Sequence, residues 1–263
     1  MAKKRMIVWR GPSQLDGITP IVLLATYDTR AGDKSSQNAK TGGMIQTFVL
    51  RDDMSPMEAL RAGADAAICG TCPHRSSMSG GSDACYVIVW QAPESTWQAY
   101  KRDGTRTNPR TGRPTRAGDS VAFDLSAFAG RKVRFGSYGD PAAVPLHVWQ
   151  EIHAVASDVT GYTHAWSYSD AGYSAFCMAS CDNVAEWQGA KAMGYRSFVV
   201  RPAGAPKPRG LVQCPASAEA GKKTTCAACL QCGGTSSGRR ADISIAAHGA
   251  TRKRFKSLPL SVV

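Results

Sequence analysis

Four cysteines near the C-terminal end carry the strongest chemical signal in this sequence. Cys214, Cys226, Cys229 and Cys232 follow the spacing C-x11-C-x2-C-x2-C. Two-residue gaps let successive thiolates converge on one metal or cluster, and the small residues Ala227, Ala228, Gly233 and Gly234 let the backbone wrap tightly around it. The C-x2-C-x2-C run is closer to the ligation of an iron–sulfur cluster than to paired zinc knuckles, so a cluster is the expectation and zinc the alternative. Lys222, Lys223, Arg239 and Arg240 flank the set, and cations there favour thiolates. A second group, Cys69, Cys72 and Cys85, has the spacing C-x2-C-x12-C, with His74 two residues after Cys72. Three thiolates leave one coordination position open, which suits a catalytic centre or a fourth ligand such as His74. Cys177 and Cys181 lie around a strand end and read as core residues.

Asp140 follows Gly136-Ser-Tyr-Gly139. Glycines at a strand end admit a ligand to the backbone, so Gly136, Gly139 and Asp140 are candidate cofactor contacts. Asp140 is open to two readings: a ribose contact, proton acceptor or nucleophile, or a cap on the helix that follows. Asp182, in Ser-Cys-Asp-Asn, reads as a cap. His164 and His248, at strand ends, are candidate acid–base or ligand groups.

The net charge is +12 and the pI near 9.4. An excess of this size favours a polyanionic partner, of which nucleic acid is the commonest. The charge is concentrated in residues 101–116, which hold six basic residues, Lys101, Arg102, Arg106, Arg110, Arg113 and Arg116, against one acid, among Gly, Pro and Thr. This composition predicts an exposed basic loop able to hold phosphates. Trp90, Trp97 and Tyr100 precede it, either to stack bases or to pack a helix face into the core.

The elements that must position these groups come from periodicity. Strands are expected at 6–9, 18–27, 44–50, 132–137, 160–166, 176–180, 196–200 and 242–249, with residues 84–90 either strand or buried loop. Helices are expected at 93–101, 144–155 and 183–193, and over 55–67, where Ser55, Pro56 and Glu58 form a capping-box start. Alternating strands and helices imply parallel pairing, so the fold expected is α/β: a (β/α) barrel or partial barrel over one domain. Residues 1–131 would form its N-terminal part, 132–202 the β/α core, and 203–263 a cysteine-rich metal-binding segment with the last strand. No internal repeat is present. Carboxyl ends of strands carry the functional groups in such folds, which would put Gly139, Asp140, His164, Ser180 to Asp182 and His248 on one rim.

Composition bounds these readings. The 263 residues are 43% hydrophobic and 20% charged, ordinary for a globular chain with a core. No apolar run reaches the ~18 residues of a membrane span, and the N-terminus lacks the apolar core of a signal peptide. The expectation is a cytoplasmic protein with no membrane association. In a reducing compartment nine cysteines point to metal or catalysis rather than disulfides, and an odd count cannot pair fully.

Several segments together resemble a phage family known as gene product eighty-eight: Asn38-Ala-Lys-Thr-Gly42, the segment ending Cys85-Tyr86, Val133-Arg-Phe-Gly-Ser-Tyr-Gly-Asp140, Gly161-Tyr-Thr-His164, Ala179-Ser-Cys-Asp182, the four-cysteine set, and Ala247-His-Gly249. The resemblance covers most of the chain in order and implies a phage origin, hence the host cytoplasm, without implying a reaction. The layout also resembles a reduced radical S-adenosylmethionine enzyme. That likeness implies a cluster at Cys69, Cys72 and Cys85, a cofactor contact at Gly139 and Asp140, and an auxiliary cluster at Cys214 to Cys232, although those enzymes use C-x3-C-x2-C. The base-exchange transglycosylases, with a barrel, a thiolate zinc site and a catalytic Asp, are the other class it looks like; there Asp140 would be the nucleophile. The function expected is a metalloenzyme that modifies a base of nucleic acid, DNA above all. The alternative is a DNA-binding protein with structural zinc or iron–sulfur sites.

Overall fold

The structure is a computed structural model and describes residues 4–27, 40–102, 120–121, 123–221 and 223–255. Strand β1 (Lys4–Pro12) and β2 (Pro20–Tyr27) form an antiparallel hairpin, and β2 pairs antiparallel with β3 (Ile45–Arg51). Beyond β3 every pairing is parallel. β3 pairs with β5 (Lys132–Tyr138), and β5 with β6 (Asp158–Thr160). A two-residue strand, β4 (Ser120–Val121), edges β1. The second sheet runs β10 (Val212–Gln213), β11 (Ile243–Ala246), β9 (Ser197–Arg201), β8 (Met178–Cys181) and β7 (Tyr162–Thr163). Only Gly161 separates β6 of the first sheet from β7 of the second. A Cβ at Gly161 would lie 2.8 Å from Cys177 Sγ and 3.2 Å from Phe135 Cβ, so only glycine lets the chain bend here against the core. That bend divides the single strand expected over 160–166, and the strand ends at Thr163.

The architecture is thus mixed α/β with two parallel-rich sheets. Among the described residues the sheets do not close, so of the barrel or partial barrel expected from the alternation the closed form is not present. The reason lies in the first three strands. Their antiparallel connections need no crossover helix, and the outer edges, β4 and β10, are two residues long and do not pair with each other.

Helices pack against both sheets. α1 (Pro56–Arg61) starts at the expected capping box, with reciprocal Ser55 and Glu58 bonds of 3.2 and 2.9 Å. It does not reach residue 67. Gly63 turns at φ 64, where a Cβ would stand 2.4 Å from Met78 O, and a separate turn, α2 (Ala66–Cys69), follows. Residues 84–90 form turns rather than a strand. α3 (Ala92–Arg102), α4 (Leu146–Val155) and α5 (Val184–Ala192) match the expected helices, and α5 is capped by Asn183, which accepts from Glu186 N at 2.8 Å. On β5 the alternation is decisive. Val133 and Phe135 are fully buried on the helix side, where Phe135 meets Trp149 of α4 at 4.5 Å and Phe176 at 5.6 Å between ring centres. Arg134 and Gly136 point to the opposite side, into a cavity. No helix among the described residues is long and apolar enough to cross a membrane.

Candidate functional site

Successive parallel strands turn alternate residues to one side of the sheets. Phe48 of β3, Arg134 of β5, Thr160 of β6, Tyr162 of β7, Phe198 of β9 and Ile245 of β11 thereby line one cavity of about 600 Å³. Cys69, Cys72 and Cys85 open on this cavity, and so do Cys214, Cys226, Cys229 and Cys232. The tertiary fold thus brings together two cysteine sets far apart in sequence.

Local structure holds each set. Cys69 ends α2, and Gly70 behind it turns at φ 56 against the Tyr168 hydroxyl. Cys72 N donates to Cys69 O at 3.1 Å, and Cys85 N to His74 O at 2.8 Å. Asp65 ties the intervening loop by accepting from Ser76 N (2.9 Å) and Ser79 Oγ (2.5 Å). In the other set Cys214 N donates to Ser244 O (2.8 Å), which fastens the cysteine to β11. Cys226 and Cys229 share a single helical turn, α6 (Cys226–Cys229), capped by Thr225 and docked by Cys226 N on Lys40 O (2.9 Å). Leu230 then takes φ 53, rare for a side chain of its kind, and re-aims the chain so that Cys232 O accepts from Gly161 N at 3.1 Å. Arg196 secures this turn by donating to Gly233 O (2.5 Å), Gln231 O (2.9 Å) and Ala241 O (2.5 Å).

All nine cysteines are free. Burial pushes the Cys69 and Cys214 thiols up, Cys85 up to about 11 and Cys232 up to about 12. Neither set is drawn onto one point. Among the described residues no three thiols lie within 4.8 Å of one another, whereas the ligand atoms of His74, His164 and Asp182 do. Thiolates on one zinc ion stand only ~3.8 Å apart. Cys177 and Cys181 are fully buried in the core and do not line the cavity, in keeping with their sequence reading.

The cations beside the four-cysteine set are not all those that sequence proximity suggests. Lys222 lies outside the described residues, and Arg239 pairs with Asp158 at 2.7 Å. Lys40 and Arg134 stand in the field of the thiols instead. Lys40 feels Cys214, Cys226 and Cys232, and its Nζ is 2.9 Å from His248 Nε2. Arg134 is 7% exposed, donates to Tyr86 Oη at 3.0 Å and lies 5.2 Å over the Tyr162 ring. Burial opposes its charge, yet Tyr86, Tyr162 and Cys226 hold it firmly protonated. Since Tyr86 adjoins Cys85, Arg134 links the neighbourhoods of the two sets. Sequence reading missed both cations; the one signal was an Arg alternating with Val133 and Phe135 on a strand.

The strand-end rim is present, with roles that geometry narrows. Asp140 Oδ1 accepts from Ala142 N (2.9 Å) and Oδ2 from His164 N (2.8 Å), and burial raises its carboxyl despite these donors. It caps the turn 141–143 and braces β5 to β7, and backbone donors occupy both oxygens of the candidate nucleophile. Gly139 turns at φ 76, where a Cβ would lie 2.6 Å from Val49 O, and a Cβ at Gly136 would lie 2.7 Å from Gly139 O. Packing within the chain requires both glycines. His248 lines the cavity, and its Nδ1 is 3.2 Å from Ala246 O. Burial and Lys40 push its pKa down. His164 and Asp182 come together with His74: Asp182 Oδ1 lies 2.8 Å from His74 Nε2 and Asp182 Oδ2 lies 3.7 Å from His164 Nε2.

Comparison with protein-family models, curated proteins and solved structures finds no match for this chain. The chemistry therefore rests on the site alone.

Of the basic segment, Arg106, Arg110, Arg113 and Arg116 lie outside the described residues. Lys101 and Arg102 end α3. Lys101 is paired with Asp52 at 2.7 Å and sits over Trp97 and Tyr100. Trp97 Nε1 donates to Arg51 O at 2.9 Å and Tyr100 is 7% exposed, so these aromatics pack α3 onto β3, while Trp90 is 64% exposed.

Proposed function

We propose that this chain is a cysteine-ligated metalloenzyme that modifies a nucleic-acid base held in the shared cavity. The observation that carries the reading is the cavity itself. Closed structural metal sites are filled by their own ligands, whereas both cysteine sets here open on one space of about 600 Å³. That volume is in the range of small-ligand sites. It admits a nucleoside and not a duplex, so a base in nucleic acid would enter extruded from its stack. The charge of +12 favours such a polyanion.

The separation of the thiols favours an iron–sulfur cluster over a single zinc ion at each set, because several metal and sulfide atoms lie between the thiolates of a cluster. Cys69, Cys72 and Cys85 would hold one cluster and Cys214, Cys226, Cys229 and Cys232 the other. A cluster with three protein ligands supplies an open iron and one-electron chemistry. Arg134 and Lys40 would balance thiolate charge at the four-cysteine set, and Tyr86, stacked on His248 at 5.6 Å, offers an aromatic face on the cavity. Gly136, Gly139 and Asp140 line the cavity, so S-adenosylmethionine bound there would meet them. A partial barrel remains the finer description of the bent sheets that this reading carries.

The test is anaerobic purification with iron, zinc and sulfide analysis, together with nucleoside mass spectrometry of DNA from cells expressing the parent or Cys69→Ala. The reading expects a coloured protein with iron and sulfide, and a modified nucleoside present only with the parent. Colourless protein with zinc at both sets, or identical nucleosides in the two cultures, overturns it.

A further inference from the structure

Three ionisable side chains meet at the rim from three separate elements. His74 lies in the loop between Cys72 and Cys85 and stacks on Phe255 at 4.9 Å. His164 follows β7, its backbone N–H fixed by Asp140. Asp182 follows β8, its backbone N–H donating to Glu186 Oε2 at 2.7 Å. His74 Nε2 stands 2.8 Å from Asp182 Oδ1, and His164 Nε2 stands 3.7 Å from Asp182 Oδ2. The second distance is too long for a hydrogen bond. His164 Nε2 and Asp182 Oδ2 are both buried without a partner, as is His74 Nδ1. Buried polar atoms are ordinarily satisfied, so the two orphaned atoms that face each other, His164 Nε2 and Asp182 Oδ2, call for an explanation.

The geometry points to a mononuclear binding site for a divalent first-row transition metal, held by His74, His164 and Asp182 beside the Cys69, Cys72 and Cys85 set. Two imidazoles and one carboxylate suit an ion of the zinc or iron(II) kind and do not suit magnesium or calcium, which take oxygen donors. With bonds of ~2.0–2.2 Å, ligand atoms on such an ion stand about 3–3.5 Å apart. The observed separations of 2.8 and 3.7 Å bracket that range. The ion would satisfy His164 Nε2 and Asp182 Oδ2 together. His74 and His164 also line the cavity, so the remaining coordination positions face the space where a substrate would sit. The thiol of Cys72 also interacts with His164. The cap role that sequence suggests for Asp182 belongs instead to Asn183, which leaves the Asp182 carboxylate for the histidines.

The experiment titrates Co²⁺, a visible stand-in for zinc and iron(II), into the intact protein carrying whatever its cysteines hold. Asp182→Asn and His164→Gln are titrated in parallel, and cobalt X-ray absorption is recorded on the parent. The result expected is one tightly held equivalent with nitrogen and oxygen neighbours including imidazole. Each variant should bind it at least tenfold more weakly, with iron and sulfide content unchanged. Unchanged iron and sulfide keep this outcome distinct from the fate of the cysteine reading. No cobalt bound by the parent, a sulfur-only shell, or parent-like affinity in either variant overturns the site and leaves a hydrogen-bonded His–Asp pair only. If Asp182→Asn does not fold, His164→Gln and the absorption spectrum of the parent decide.

Discussion

Asp140 separates a reactive carboxylate from a brace, and its replacement by alanine gives a sharp prediction. The two oxygens accept from Ala142 N at 2.9 Å and His164 N at 2.8 Å, and the residue is 7% exposed. Alanine strips both buried N–H groups of their acceptor. An unsatisfied buried donor costs about 1–3 kcal/mol, so two cost about 2–6 kcal/mol before relaxation. Burial of the carboxylate works against it in the parent, as its raised pKa shows, and removing that burden returns part of the loss. The net expectation is a destabilisation of about 2–4 kcal/mol, a large share of the ~5–15 kcal/mol that holds a typical domain. Urea unfolding followed by circular dichroism measures it as a lower midpoint at unchanged slope. Asp140→Asn should fall between parent and alanine, because the amide keeps one acceptor but turns a donor toward His164 N–H. Loss of stability of less than about 0.5 kcal/mol in Asp140→Ala, together with loss of function, would refute the brace and restore the nucleophile.

Three further outcomes follow from the same geometry. Gly139→Ala places a Cβ 2.6 Å from Val49 O at a φ of 76, and calorimetry should show a loss of at least about 1 kcal/mol, against the small gain of a tolerated Gly→Ala change. Arg134→Met removes the buried cation beside Cys226, and chelator competition should show about ten- to hundredfold weaker metal retention by the four-cysteine set with the fold intact. Asp52 accepts from Tyr100 Oη and Lys101 Nζ, both at 2.7 Å, and although burial opposes it, these donors hold its carboxyl below the usual range. A depressed carboxyl stabilises the fold above the unfolded value of ~3.9 and loses that contribution as pH falls through the lower folded value. Denaturation between neutral pH and pH ~3 should therefore show a shallower acid decline for Asp52→Asn, with a difference under about 1 kcal/mol because the pair is partly exposed.

The elements most legible in the sequence were those whose local pattern is also their tertiary role. The Ser55–Glu58 box, the amphipathic α4, the Asn183 start of α5 and the strands β2, β3 and β9 formed where periodicity put them, since buried faces and caps are properties of neighbouring residues. Less legible were interruptions imposed from elsewhere in the chain. After α1 the chain turns at Gly63, where Met78 leaves no room for a Cβ, and the strand at 160–166 bends at Gly161, where Cys177 leaves none. The glycines are visible in the sequence, but the Met78 and Cys177 contacts that require them are not.

The same division holds at the site. Sequence by itself determined the nine cysteines and their spacing, the basic excess, and the set of strand-end residues that parallel pairing puts on one rim, because ligand type, charge and strand direction are written residue by residue. Only the tertiary structure decided that the two cysteine sets share a cavity, that Asp140 is spoken for by two backbone N–H groups, and that Lys40 and Arg134 are the cations beside the thiols. It also drew His74 to His164 and Asp182 across 108 residues of chain. Such meetings depend on which side of a bent sheet a loop crosses, and that is set by packing summed over the whole chain rather than by any spacing within it.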